Sequence, residues 1–153
     1  MSALDTRIPP PVVGALVAAA MWGVSAFGPS LPLPPGLKSA AVALFVAAGL
    51  AFDLLGLLAF HRARTTVNPL RPDRTSSLVT GGAHRAPPNP MSVGLGLLLI
   101  AGAIHLSALL PFAGPVVYVL YITRFQIRPE ERILKSLFGE EYDAYCGRVR
   151  RWL

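Results

Sequence analysis

The sequence predicts an all-α, polytopic membrane protein with about four transmembrane helices, the last two forming a hairpin, and a cytoplasmic helical tail. Three observations predict it. Of 153 residues, 53% are hydrophobic and only 14% are charged, where a soluble domain carries about 25% charged residues. Four apolar segments each approach the ~20 residues needed to cross a hydrocarbon core. The basic residues gather on one side of the membrane that those segments define.

The same composition excludes other classes. A mean hydropathy of +0.53 is too high for a disordered chain. One cysteine, Cys146, excludes an internal disulfide and a thiolate metal cluster. His61, His84 and His105 show no metal-ligand spacing, so no metal site is expected. The net charge of +6 fits nucleic acid or anionic lipid equally. The basic residues follow the expected topology instead of clustering in a soluble module, so no nucleic-acid partner is expected.

The first expected span, 8–27 (IPPPVVGALVAAAMWGVSAF), carries no charge. A cleaved signal peptide is the alternative there. Asp5 beside Arg7 and three prolines in the approach favour a retained span. The second span, 39–60, has one charge, Asp53; the third, 91–110, has none. The fourth, 111–127, has only Arg124, which can snorkel to the interface. Proline-rich 29–36 connects the first two spans, and 112–115 (FAGP) the last two.

Between spans two and three lies a long loop, 61–90, and after span four an amphipathic tail, 128–153. Loop, tail and Arg124 together hold twelve of the fourteen Lys and Arg residues; Arg7 joins them, and Lys38 lies opposite. The positive-inside rule then puts loop, tail and both termini in the cytoplasm, with the protein in the plasma (inner) membrane. In the tail, Pro129 followed by Glu130 and Glu131 marks a helix start. Ile133, Leu134, Leu137 and Phe138 make one apolar face, and Gly139 ends it. Tyr142, Tyr145, Val149 and Trp152 recur beside Arg148, Arg150 and Arg151, as on a helix lying on an anionic lipid surface.

Chemistry concentrates in two stretches. One, 78–94, reads LVTGGAHRAPPNPMSVG; the other, 128–153, reads RPEERILKSLFGEEYDAYCGRVRRWL. A hairpin of spans three and four would bring both to one cytoplasmic mouth. Together they resemble the integral-membrane methyltransferases that include isoprenylcysteine carboxyl methyltransferase and the phospholipid N-methyltransferases. The tail is the more specific match: Glu130-Glu131, Phe138-Gly139, Tyr142 and Tyr145 all fall at the family spacing. Arg85, Asn89, Pro90 and Gly94 match in the first stretch.

The resemblance implies S-adenosylmethionine as cofactor, with S-adenosylhomocysteine as product. It implies a membrane lipid or lipophilic small molecule as methyl acceptor. Glu131 would hold ribose hydroxyls or the ammonium of the cofactor, with Glu130 beside it, and His84 or Arg85 its carboxylate. Asn89 and Pro90 would open the third span, whose N-terminal N–H groups assist. Met91, Leu95 and Leu98 would line an adenine slot near Gly94, and Arg128 would lie near the acceptor. Methyl transfer is an in-line displacement that needs positioning and exclusion of water.

Other readings stand beside this one. His84, Ala86, Pro88 and Ser92 depart from the family pattern, which motivates a non-catalytic scaffold or partner subunit. Asp53 within a span points to a small transporter, or to an interhelical hydrogen bond with Ser25. Glu130 and Glu131 also suit a helix start, Arg85 a positive-inside anchor, and the tyrosines and Trp152 interfacial anchors.

Overall fold

A computed structural model describes residues 8–66, 90–147 and Trp152. These residues are mostly helical and contain no strand beyond a single bridged pair, Ser30 with Ala108. Helix α1 spans Pro10–Val24. Its prolines sit in the first turn, where a missing N–H leaves no bond unmade. Helix α2 spans Pro35–Thr66 and α3 spans Pro90–Leu106. A 3-10 turn, Leu110–Phe112, leads into α4, Ala113–Ile122. A π-helical turn, Thr123–Ile127, then joins α4 to α5, Arg128–Phe138. The short α6 spans Glu140–Cys146.

Helix α3 is the hub. Gly96 lies beside Tyr118 and Gly102 beside Met21, while Gly14 lies beside Leu95 and Gly114 beside Met21. Contacts that ascend α3 therefore ascend α1 and descend α4. Between these three helices sits the core of Val13, Met21, Leu99, Ala103, Tyr118, Ile122 and Ile127. Helix α2 packs chiefly on α3, with Gly49 against Gly94 and Leu98 and Gly56 against Pro90 and Met91. It runs opposite to α3.

Two helical stretches are long and apolar enough to cross a membrane: Pro35–Ala59 and Leu110–Phe138, of 25 and 29 residues. Only 11% of the most apolar window of the first is buried, so it is not a core helix. Leu44, Leu50, Leu54 and Leu58 point outward from it. Helices α1 and α3 have 15 and 17 residues, about 22 and 26 Å at 1.5 Å per residue.

The connections differ from those expected. The link between the third and fourth apolar segments is at Ser107–Leu109, not at 112–115, which is already helical. Pro111 and Pro115 occupy the first turns of their helices, where proline starts a helix instead of ending one. Ser107 takes a positive φ of 51° to turn the chain. At this end the two connections bond to each other: Leu31 N–H donates to the Ser107 carbonyl at 2.8 Å, and Leu109 N–H to that of Pro29 at 3.1 Å. Backbone groups of both loops are thereby paired.

Helix bounds differ as well. Helix α1 is shorter at both ends than 8–27, and α2 extends beyond 39–60 to include residues expected in the loop. Most of that loop, 67–89, lies outside the described residues. The tail does not begin a separate helix at Arg128, because helical backbone is continuous from Leu110 to Phe138. The π turn is the physical reason. Pro129 lacks an N–H, and its ring would press on the carbonyl four residues back. The wider turn just ahead of it lets the helix pass without a break.

Candidate functional site

The π turn fixes where the polar end of the molecule is built. Gln126 is buried there and its Nε2 donates to the Ile8 carbonyl. Trp152 Nε1–H donates to Thr123 Oγ1 at 3.2 Å, and its ring packs against the core cluster. Trp152, expected as an interfacial anchor, is half-buried at this polar end. Tyr142 likewise is buried.

Beyond the π turn, one face of the helix carries Arg124, Arg128, Glu131, Arg132 and Lys135, at spacings of three and four. Gly139 closes α5 at a φ of 52°, a conformation that side-chain-bearing residues adopt only at a cost. Its N–H bonds the Lys135 carbonyl at 2.9 Å. The turn folds α6 back so that Lys135 Nζ lies 3.2 Å from Asp143 Oδ1. Both partners are more than half exposed, so this pair contributes about 0–1 kcal/mol. Arg132 Nε donates to the Arg128 carbonyl at 3.4 Å.

The result is an open basin of about 610 Å³ lined by Arg124, Arg128, Glu131, Arg132, Lys135, Tyr142, Asp143 and Cys146. Four cationic side chains meet two carboxylates in it. Among the described residues no group of three His, Cys, Asp or Glu side chains is placed to hold a metal ion.

Two of the residues expected from sequence, Arg128 and Glu131, line this basin. Glu130 is exposed on the same turn and does not line it. His84, Arg85 and Asn89 lie outside the described residues, as do Ala86 and Pro88. Pro90, Met91, Gly94, Leu95 and Leu98 are on α3 and serve helix packing instead of lining the basin. Pro90 and Met91 meet Gly56, Leu98 meets Gly49, and Leu95 meets Gly14. Six residues below the level where Gly96 meets Tyr118, α3 begins at roughly the height of Arg124. The described part of the first stretch, residues 90–94, thus lies toward the same end of the bundle as Arg124, without substantial contact between α3 and α5.

Arg124, Arg132, Lys135, Tyr142, Asp143 and Cys146 were not among the expected site residues. The i, i+4 series Arg124–Arg128–Arg132 was visible in the sequence as a signal. The return of α6 was not, because it depends on the angle of the Gly139 turn.

A second polar cluster lies between the helices. Asp53 of α2 sits over Gly94, so closely that a side chain at Gly94 would collide with its carboxylate. Ser92 and Tyr118 nearby are almost fully buried. The expected bond from Ser25 to Asp53 does not form. Ser25 lies at the end of α1 away from Asp53, and its Oγ donates to the Trp22 carbonyl at 2.6 Å.

These elements define a mostly helical protein with two membrane-length apolar helices and a charged basin at the end of one. Over 63 residues, 41% of this chain, it is 43% identical to a protein of Haemophilus influenzae described as an uncharacterized protein. The match covers that protein's whole length, and the chain belongs to the same family as that protein. No protein-family model matches the chain. No solved structure matches it.

Proposed function

We propose that the chain crosses the bilayer four times and, at its cytoplasmic mouth, transfers a methyl group from S-adenosylmethionine to a lipophilic or amphiphilic acceptor. The observation that carries this reading is that Glu131 and Arg128, two residues of the tail stretch, line one basin large enough for a small ligand. The donor set suits the cofactor. Its carboxylate needs cations, its ammonium and ribose hydroxyls need a carboxylate, and its adenine needs a flat apolar surface. Arginines, Glu131 and Tyr142 offer all three. When bound, the cofactor supplies an electrophilic methyl group. Glu131 would orient the bound molecule, and Arg128 would hold a polar group of the acceptor near it.

Four crossings are supported by the opposed contact order of α2 and α4 against α3 and by the outward-facing leucines of α2. Lys38 lies towards one end, while Arg124, Arg128, Arg132 and Lys135 lie at the other. This asymmetry supports a cytoplasmic basin and cytoplasmic termini in the plasma (inner) membrane.

The test is S-adenosylmethionine and S-adenosylhomocysteine binding in lipid nanodiscs, with Glu131→Ala and Arg85→Ala as variants. Wild type is expected to bind, and each substitution to weaken binding roughly tenfold, as for loss of one charge-assisted contact. A folded wild type that binds neither molecule removes the methyltransferase reading. One observation favours a second reading, a scaffold without turnover. Ser92, where the family pattern has tyrosine, is buried between helices and cannot present an aromatic ring to the basin. Cofactor binding without methyl transfer to any of a panel of amine, thiol, carboxylate and lipid acceptors would favour that scaffold.

A further inference from the structure

Above the basin, α4 has an outward apolar stripe. Val117 is 54% exposed and Leu120 is 64% exposed, and neither is covered by another helix. Following the same face downward leads to Arg124 and then Arg128, both exposed and both lining the basin. Val117 to Arg124 is two helical turns, about 10 Å. An uncovered apolar stripe that runs into a cluster of guanidinium groups has the polarity profile of an amphiphile: chain above, head below.

The sign of the head follows from the lining. Lys135 is already paired with Asp143. Glu131 offsets one more cation, which leaves the basin with a net excess of positive charge carried by its arginines. A zwitterionic head group would gain little there, while a phosphate diester without a compensating ammonium would be matched in charge and in fork geometry. Arg124 also rests over the Phe125 ring, with its guanidinium carbon 5.4 Å from the ring centre. This contact restrains the side chain near the helix and lowers the entropy lost on binding.

We propose that Arg124, Arg128 and Arg132 form a binding site for the phosphate of one anionic phospholipid, whose acyl chain lies along Val117 and Leu120. The site rests on the membrane reading of this chain but not on methyl transfer. A lipid held there would close the bilayer-facing side of the basin.

The experiment purifies the full chain from membranes into nanodiscs of equimolar phosphatidylcholine and phosphatidylglycerol, and measures the lipid retained after transfer to detergent by native mass spectrometry. Wild type is expected to retain phosphatidylglycerol over phosphatidylcholine. Arg124→Gln with Arg128→Gln should lower that preference roughly thirtyfold, from the loss of two cations near the lipid surface. Arg124→Lys with Arg128→Lys should keep most of it, and Lys38→Gln at the other end should keep all of it. Circular dichroism of each variant separates loss of the site from loss of fold. Equal retention of both lipids by folded wild type overturns the proposal, as does a preference that survives the double glutamine variant. Inorganic phosphate that displaces the lipid at equal concentration, with Leu120→Ser having no effect, would assign the site to free phosphate and overturn the lipid. Methyl-donor binding measured on wild type and Lys38→Gln, which leave the basin arginines intact, reports separately on the function proposed above.

Discussion

The contact of Gly49 with Gly94 shows how single residues set the spacing of this bundle. A Cβ at Gly49 would lie 2.9 Å from the Gly94 carbonyl oxygen and 2.9 Å from Leu98 Cγ. A Cβ at Gly94 would meet the Asp53 carboxylate and lie 2.7 Å from the Gly49 carbonyl. Small residues at such crossings let two backbones approach within van der Waals range, which is the main source of helix association in lipid. Gly94→Ala is therefore expected to destabilise the protein by about 1–3 kcal/mol, the usual cost of overpacking. Thermal unfolding in detergent measures it. Asp53→Ala in the same chain should restore part of that loss and not all, because the Gly49 carbonyl still obstructs. Full restoration would mean that Asp53 alone sets the spacing; no loss at all would mean that the helices are not in close contact. The sequence marked Gly94 as a cofactor contact by resemblance, and it marked Asp53 as an isolated acid. That the two face each other was invisible, since they are 41 positions apart on separate helices.

At the scale of the element, the helix from Leu110 to Phe138 carries both an apolar half and a basic half, with the π turn between them. That turn ties down both ends of the described chain, Ile8 through Gln126 and Trp152 through Thr123. Below it, Gly139 decides whether α6 returns to complete the basin. Alanine at a φ of 52° and a ψ of −122° is strained, at about 1 kcal/mol or more. Gly139→Ala should loosen α6 and weaken the Lys135–Asp143 pair. With Trp22→Phe as background, Trp152 emission reports on the tail: a red shift on Gly139→Ala is expected as its ring loses packing. Unchanged emission would show that the Trp152 contact holds the tail independently of the Gly139 turn. The Pro129-Glu130-Glu131 signature and the break at Gly139 are both legible in the sequence. By local preference the first marks the start of a new helix, because that preference at Pro129 is blind to a preceding π turn.

For the whole molecule, the arrangement around α3 makes a prediction about sidedness. Cys146 is exposed on the basin side, and the 29–36 connection lies at the opposite end with Ser107. In intact cells a membrane-impermeant maleimide should fail to label Cys146 and should label it once the membrane is opened. Gly36→Cys in a Cys146→Ser chain should be labelled without opening the membrane. The reversed pattern would invert the topology, and labelling of both positions in intact cells would remove four crossings. Helices α1 and α3, of 15 and 17 residues, fall short of the ~30 Å hydrocarbon thickness. The loops at 29–31 and 107–109 are joined at that end of the bundle by two backbone hydrogen bonds, Leu31 to Ser107 and Leu109 to Pro29.

The tail's resemblance to a family pattern singled out Arg128 and Glu131, while composition and periodicity by themselves determined the helical class and the apolar segments. These follow from local quantities: transfer free energy along the chain, proline and glycine preferences, and charge. Only the tertiary structure decided which residues share a site. It moved the connection from 112–115 to 107–109 and separated Ser25 from Asp53. It turned Trp152 inward and assembled Arg124, Lys135, Asp143 and Cys146 around the basin. The physical reason is that such neighbours are fixed by helix phase and turn angle, and a single π turn or one positive φ resets the phase of everything beyond it.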